Sequence, residues 1–111
     1  MAAPYSGREG SFSVRVEEEG DALAVHAVGE LDIASAPALE HSMLHALESG
    51  TPSIVLDLTG VTFIDPTGLR TLLWAAQHSG ENRDSLRIRI GSAVRRMIEM
   101  TGVERSLPLI A

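Results

Sequence analysis

Four histidines, fifteen carboxylates and a set of serine and threonine hydroxyls are the groups in this chain that could carry chemistry, and no cysteine joins them. Without thiols there is no thiolate nucleophile, no disulfide framework and no zinc–thiolate site. A hydrolytic triad would need a serine on a strained turn beside a histidine and an acid. The residue types are present, but the Gly-x-Ser-x-Gly elbow that exposes such a serine is not. Neither a P-loop nor a Gly-x-Gly-x-x-Gly run occurs, so no glycine loop is offered to a phosphate. His41 and His45 stand at i, i+4 and could in principle share a metal. They lack both the Glu of His-Glu-x-x-His and a third ligand nearby, so they read as surface histidines and no metal site is expected. His26 and His78 read as structural. Asp32, Asp57 and Asp65 have defined places in the pattern, yet 111 residues leave little room for the cleft in which a paired-carboxylate enzyme works. The residue chemistry points to an interaction domain with no catalytic residues and no cofactor.

The elements that would hold these groups alternate between strand and helix. Phe12, Val14 and Val16 alternate with Ser13, Arg15 and Glu17, the pattern of a half-buried strand. Turn residues at 18–21 lead to a second strand over Leu23–Val28, making a hairpin. Ser35 is placed to cap a helix running to about Ser49, with Ala36, Leu39, Met43, Ala46 and Leu47 on its inner face and Gly50 ending it. Ile54 to Leu58 is nearly continuously apolar and predicts a central strand buried on both faces. Phe63 and Ile64 lead into Asp65-Pro66, a natural N-cap followed by a proline at the first helical position. Leu69, Leu72, Leu73 and Ala76 give the second helix its apolar stripe, and it ends before Gly80. Leu86, Ile88 and Ile90 alternate with Arg87 and Arg89, predicting a strand with one wet face. Ser92 would cap a third helix with Val94, Met97, Ile98 and Thr101 inward and Gly102 stopping it. Met97 and Met100 read as core or near-core residues, and Leu107–Ile110 could add a final strand. The order is β-β-α-β-α-β-α, an α/β domain whose small mixed sheet carries helices on one face. Its expected core holds Leu39, Met43, Leu56, Leu69, Leu72, Leu73, Leu86, Ile88 and Ile98. Residues 1–10 show no periodicity and are expected to form a mobile leader to a single domain over 11–111.

Charge narrows the partners. All nine basic residues are arginine, against fifteen acids, for a net charge of −6. Two arginines face ten acids in residues 1–57, a net of −8, while seven face five in residues 58–111, a net of +2. Nucleic-acid affinity comes largely from neutralising phosphates, so an acidic chain with four aromatics is not expected to bind nucleic acid. A protein partner with basic patches suits it better. No apolar run approaches the roughly 20 residues of a membrane span, and the N-terminus lacks the apolar segment of a secretory signal. The expectation is a cytoplasmic protein without membrane contact.

Two stretches carry a family resemblance. One is Gly29-Glu30-Leu31-Asp32 followed by Ser35-Ala36-Pro37; the other, more specific, runs from Leu56-Asp57-Leu58-Thr59-Gly60 through Phe63-Ile64-Asp65-Pro66-Thr67-Gly68-Leu69. Together with Ser92-Ala93-Val94-Arg95-Arg96-Met97-Ile98 and Thr101-Gly102-Val103, and with the element order over 11–111, they resemble the STAS domain, in particular the bacterial anti-sigma-factor antagonists. The resemblance implies the STAS fold and transcription regulation by partner switching. The unphosphorylated antagonist binds an anti-sigma factor, commonly a GHKL-type serine kinase, and so frees a sigma factor. The kinase phosphorylates the start of the second helix and a phosphatase, of PP2C type, restores it. Phosphorylation there adds about −1.5 to −2 charge to a packed interface, which repels acidic groups and is costly to desolvate.

One departure bears on the switch. The family's phosphorylated hydroxyl usually follows the aspartate directly, and here that position is Pro66. Thr67 aligns with the second hydroxyl of the motif and is the local candidate acceptor. Either Pro66 simply stiffens the helix start with no change of mechanism, or phosphorylation control has been lost or has moved to Thr67. The implied partner surface comprises Asp32, Ser35, Asp65, Thr67, Gly68 and Leu69, with Arg87 and Arg89 away from it on the open sheet face. Two other readings remain at this point: a STAS scaffold within a larger signalling assembly, which pull-down of large sensory complexes would favour, and a ligand-sensing module, which a ligand-dependent melting shift would favour.

Overall fold

The structure is a computed structural model and describes residues 12–79 and 86–110. The expected leader at 1–10 lies outside the described residues. Strands β1 (Ser13–Glu19), β2 (Ala22–Leu31), β3 (Ser53–Ile64) and β4 (Leu86–Ile90) form one sheet in the order β1-β2-β3-β4. β1 and β2 are the expected hairpin, antiparallel with Ser13 opposite Val28 and Glu19 opposite Ala22. Gly20 supplies the positive φ of 64° that its turn requires. β2–β3 and β3–β4 are parallel pairs, so each needs a crossover. Helices α1 (Ala36–Leu47) and α2 (Pro66–His78) supply these, and α3 (Ser92–Thr101) follows β4.

Val25, Leu56, Ile54, Leu86 and Ile88 share the sheet face covered by the helices, where they meet Leu39, Met43, Leu72, Val94 and Ile98 in one buried core. The opposite face carries Arg15, Glu17, His26, Asp57 and Arg89. β3 is central, as expected, but it is not buried on both faces: Ile54, Leu56 and Leu58 are buried while Val55 and Asp57 are half-buried. No helix among the described residues lies over the second face, so that side of the strand carries half-buried and charged side chains. The expected core is buried except for Leu73, which is half-buried. The inward stripe of α2 is rotated from the expected one: Gly68, Leu69, Thr71, Leu72 and Ala75 are buried, and Leu73 and Ala76 are half-buried. The close seat of Gly68 on β2 turns that side of the helix inward.

β3 is also longer than the expected Ile54–Leu58. Its pairing with β2 slips twice, between the His26–Asp57 and Val28–Gly60 pairs and again between Gly29–Val61 and Glu30–Phe63. Each slip puts one extra residue into β3, and the buried positions change spacing from two (Ile54, Leu56, Leu58) to three (Val61, Ile64). Thr59-Gly60 therefore bends the strand without ending it. At the other side of the sheet the expected final strand is a single bridge from Leu109 to Ile88, with the Ile88 amide donating to Pro108 O at 2.9 Å and the Ile110 amide to Ile88 O at 2.8 Å. Pro108 has no amide with which to extend a ladder. A one-turn 3-10 helix at Glu104–Ser106 precedes the bridge.

Candidate functional site

The carboxyl ends of β2 and β3 lie side by side, Leu31 opposite Ile64, so the turns that follow them start next to each other. The Asp65 amide donates to Leu31 O at 3.2 Å and joins the two turns directly. Asp65 then caps α2 as expected: its extended backbone aims Oδ1 at the Gly68 amide, 2.8 Å away, and Pro66 occupies the first helical position. Thr67 follows in the first turn. Its side chain is half-buried, and its hydroxyl has no hydrogen-bond partner among the described residues. A Cβ on Gly68 would lie 2.6 Å from Leu31 O and 2.9 Å from Ile64 Cγ1, so only glycine lets α2 start this close to β2. Leu69, at 6% exposure, anchors the same turn in the core.

Asp32 and Ser35 organise the neighbouring turn. Asp32 Oδ1 accepts from the amides of Ala34 (3.0 Å) and Ser35 (3.1 Å). Ser35 stands at the N-cap position of α1 but does not cap it with its side chain. Its hydroxyl reaches backwards, donating to Glu30 O at 2.7 Å and accepting the Asp32 amide at 2.9 Å. The reason lies two residues on: Pro37 has no amide to offer, and the Ala38 amide already bonds the Ser35 carbonyl. Of the six expected site residues, all stand at this end of the sheet. Ser35 (3% exposed), Gly68 and Leu69 are buried and shape it, while Asp32, Asp65 and Thr67 reach its surface.

Other charged groups lie elsewhere. On the open sheet face His26 Nδ1 is 2.9 Å from Asp57 Oδ2, and Arg89 Nη1 is 3.6 Å from the same oxygen. Burial would raise the Asp57 pKa, but hydrogen bonds from the Thr59 amide and hydroxyl and from His26 outweigh it and hold the carboxyl below its ordinary value. Arg87 and Arg89 are on this face, as expected. His41 and His45 are exposed, with ring centroids 4.7 Å apart on α1, and no cluster of three potential metal ligands occurs among the described residues.

Sequence reasoning missed an apolar rim beside the site. Phe63 is 50% exposed because the second bulge turns it outward. Met100, expected near the core, is 76% exposed, and Thr101, expected inward, is exposed with its hydroxyl on Met97 O at 2.9 Å. α3 is only ten residues long and buries Val94 and Ile98 alone. Ser92 is its first residue rather than its cap; Gly91 holds the cap position. The one trace of this in the sequence is the apolar spacing of β3, which changes from two (Ile54, Leu56, Leu58) to three (Val61, Ile64).

This arrangement sits within a known family. The sequence model of the family described as "Mlab, STAS domain" matches residues 14–111, and the chain belongs to that family. It is 26% identical over 111 residues to the anti-sigma-F factor antagonist RsfB of Mycobacterium tuberculosis, covering all of this chain and 87% of that one. The crystal structure of an anti-sigma factor antagonist from Mycobacterium paratuberculosis superimposes with a TM-score of 0.81 at 30% identity, covering 98% of this chain and 89% of that chain. The Bacillus cell fate determinant SpoIIAA in its phosphorylated form shares the fold at a TM-score of 0.62 and 16% identity, covering 89% and 92% of the two chains. No described helix is long and apolar enough to cross a membrane.

Proposed function

We propose that this protein is an anti-sigma-factor antagonist that works by binding rather than by catalysis. Its partner is an anti-sigma factor, a GHKL-type serine kinase, which releases its sigma factor when the antagonist binds. The observation that carries this reading is the near full-length likeness to proteins named for that role, in a chain whose site presents Asp32, Asp65 and a half-exposed Thr67 hydroxyl, without a hydrogen-bond partner among the described residues, on one surface.

Thr67 is the switch residue. With Pro66 at the usual acceptor position, Thr67 offers the hydroxyl nearest to it. A phosphate there gains about 0.3–1 kcal/mol from the α2 N-terminus. Asp65, alongside, opposes it. The same phosphate blocks the partner because its charge must be desolvated at the interface. A PP2C-type phosphatase reverses the modification. The protein acts in the cytoplasm, where a sigma factor is regulated.

Incubation with the kinase and ATP, followed by mass spectrometry, tests the switch. Phosphothreonine at Thr67 is expected. Phosphate on Ser92 with Thr67 bare, or on the buried Ser35, overturns the assignment.

A further inference from the structure

The second bulge in β3 leaves something that neither helix packing nor strand pairing uses. It turns Phe63 into solvent, and α3 sets Met97 and Met100 beside it. These three, with Thr62 and Arg96, line a shallow groove between the end of β3 and α3. Two large apolar side chains exposed at one place leave apolar area to be removed from water by a partner. Methionine adapts its shape to whatever packs on it. Arg96 is the one charged side chain on the groove, is exposed, and makes no ion pair among the described residues. An apolar floor with an unpaired guanidinium at its wall is complementary to an apolar side chain flanked by a carboxylate.

The groove is continuous with the switch site. Ile64 lines it, and the next residue is Asp65, the cap of α2. We propose that this groove is a second contact for the same anti-sigma factor, holding an apolar segment with an adjacent acidic residue that pairs with Arg96. This rests on the function proposed above and adds the chemistry of the partner segment. Attachment is then at two points. Phosphorylation of Thr67 disrupts one, and the groove supplies affinity that the phosphate does not touch. Loss of either contact therefore weakens Kd, and loss of both weakens it further than either alone.

The test is calorimetric titration of the full chain with a purified anti-sigma factor from the same organism. The chains compared are wild type, Phe63→Ser, Met100→Ser, Arg96→Glu, Thr67→Glu and the Arg96→Glu/Thr67→Glu pair. Met100 and Arg96 are exposed, so their variants keep the wild-type melting curve even if Phe63→Ser does not. Each groove variant is expected to weaken Kd by about tenfold or more, the loss typical of a central interface side chain. Arg96→Glu should also flatten the salt dependence, and the pair should bind more weakly than either single variant. Groove variants that bind like wild type while Thr67→Glu is weakened overturn the groove and leave the proposed function standing. Wild type failing to bind any such factor overturns both. A groove variant that changes only self-association, read by light scattering, assigns the groove to a second copy and overturns the proposal.

Discussion

Gly68 and Asp57 show how single positions hold this molecule together, one by what it lacks and one by what it accepts. A Cβ at Gly68 would press on the Leu31 carbonyl and side chain at 2.6 and 2.8 Å. Gly68→Ala is therefore expected to lose about 1–3 kcal/mol by urea denaturation, although alanine is the better helix former. Asp57 has its pKa lowered in the folded state. The stabilisation this brings is complete above the unfolded carboxylate value of about 3.9 and is lost as pH falls through the lower folded one. Asp57→Asn should thus be less stable than wild type at pH 7 but lose less stability below about pH 4, measured by denaturation across pH. At this scale the sequence was partly legible. Asp65 could be recognised as a cap because its partner amide is three residues away in the chain. Ser35 reads as a cap by the same rule but does not cap with its side chain, because its hydroxyl donates to Glu30 O, a contact set by the turn and by the missing amide of Pro37.

Among the elements, α2 joins core to site. Its buried stripe packs Leu72 fully into the core, while its first turn carries Asp65 and Thr67. Leu72→Ala is expected to cost roughly 2–5 kcal/mol in chemical denaturation, as for other large-to-small core changes. Helix α1 and the hairpin followed from the apolar pattern together with the turn residues at 18–21 and the stop at Gly50. β3 did not, because its period changes from two to three at the bulges and Thr59-Gly60 resembles a turn. The register of β2 against β3 fixes those bulges, and a single sequence does not display register. The same gap hid the outward Phe63 and, with it, the apolar rim.

At the scale of the whole molecule, the supporting face and the proposed recognition surface lie apart. Its open sheet face is a polar network linking β1, β2, β3 and β4 through Glu17, Glu19, His26, Asp57 and Arg89. The carboxyl ends of β2 and β3 gather the turns that hold Asp32, Asp65 and Thr67, where loops can present side chains without disturbing the core. Substitution of Arg87 on the open face should therefore leave partner affinity intact. The most direct test is titration of an anti-sigma factor against wild type, Thr67→Ala, Thr67→Glu and Arg87→Ala. Wild type, Thr67→Ala and Arg87→Ala are expected to bind alike, with Thr67→Glu weaker by about tenfold or more as its charge is forced into the interface. Thr67→Glu binding as tightly as wild type, or Arg87→Ala losing as much, would contradict the placement of the partner surface at this end of the sheet.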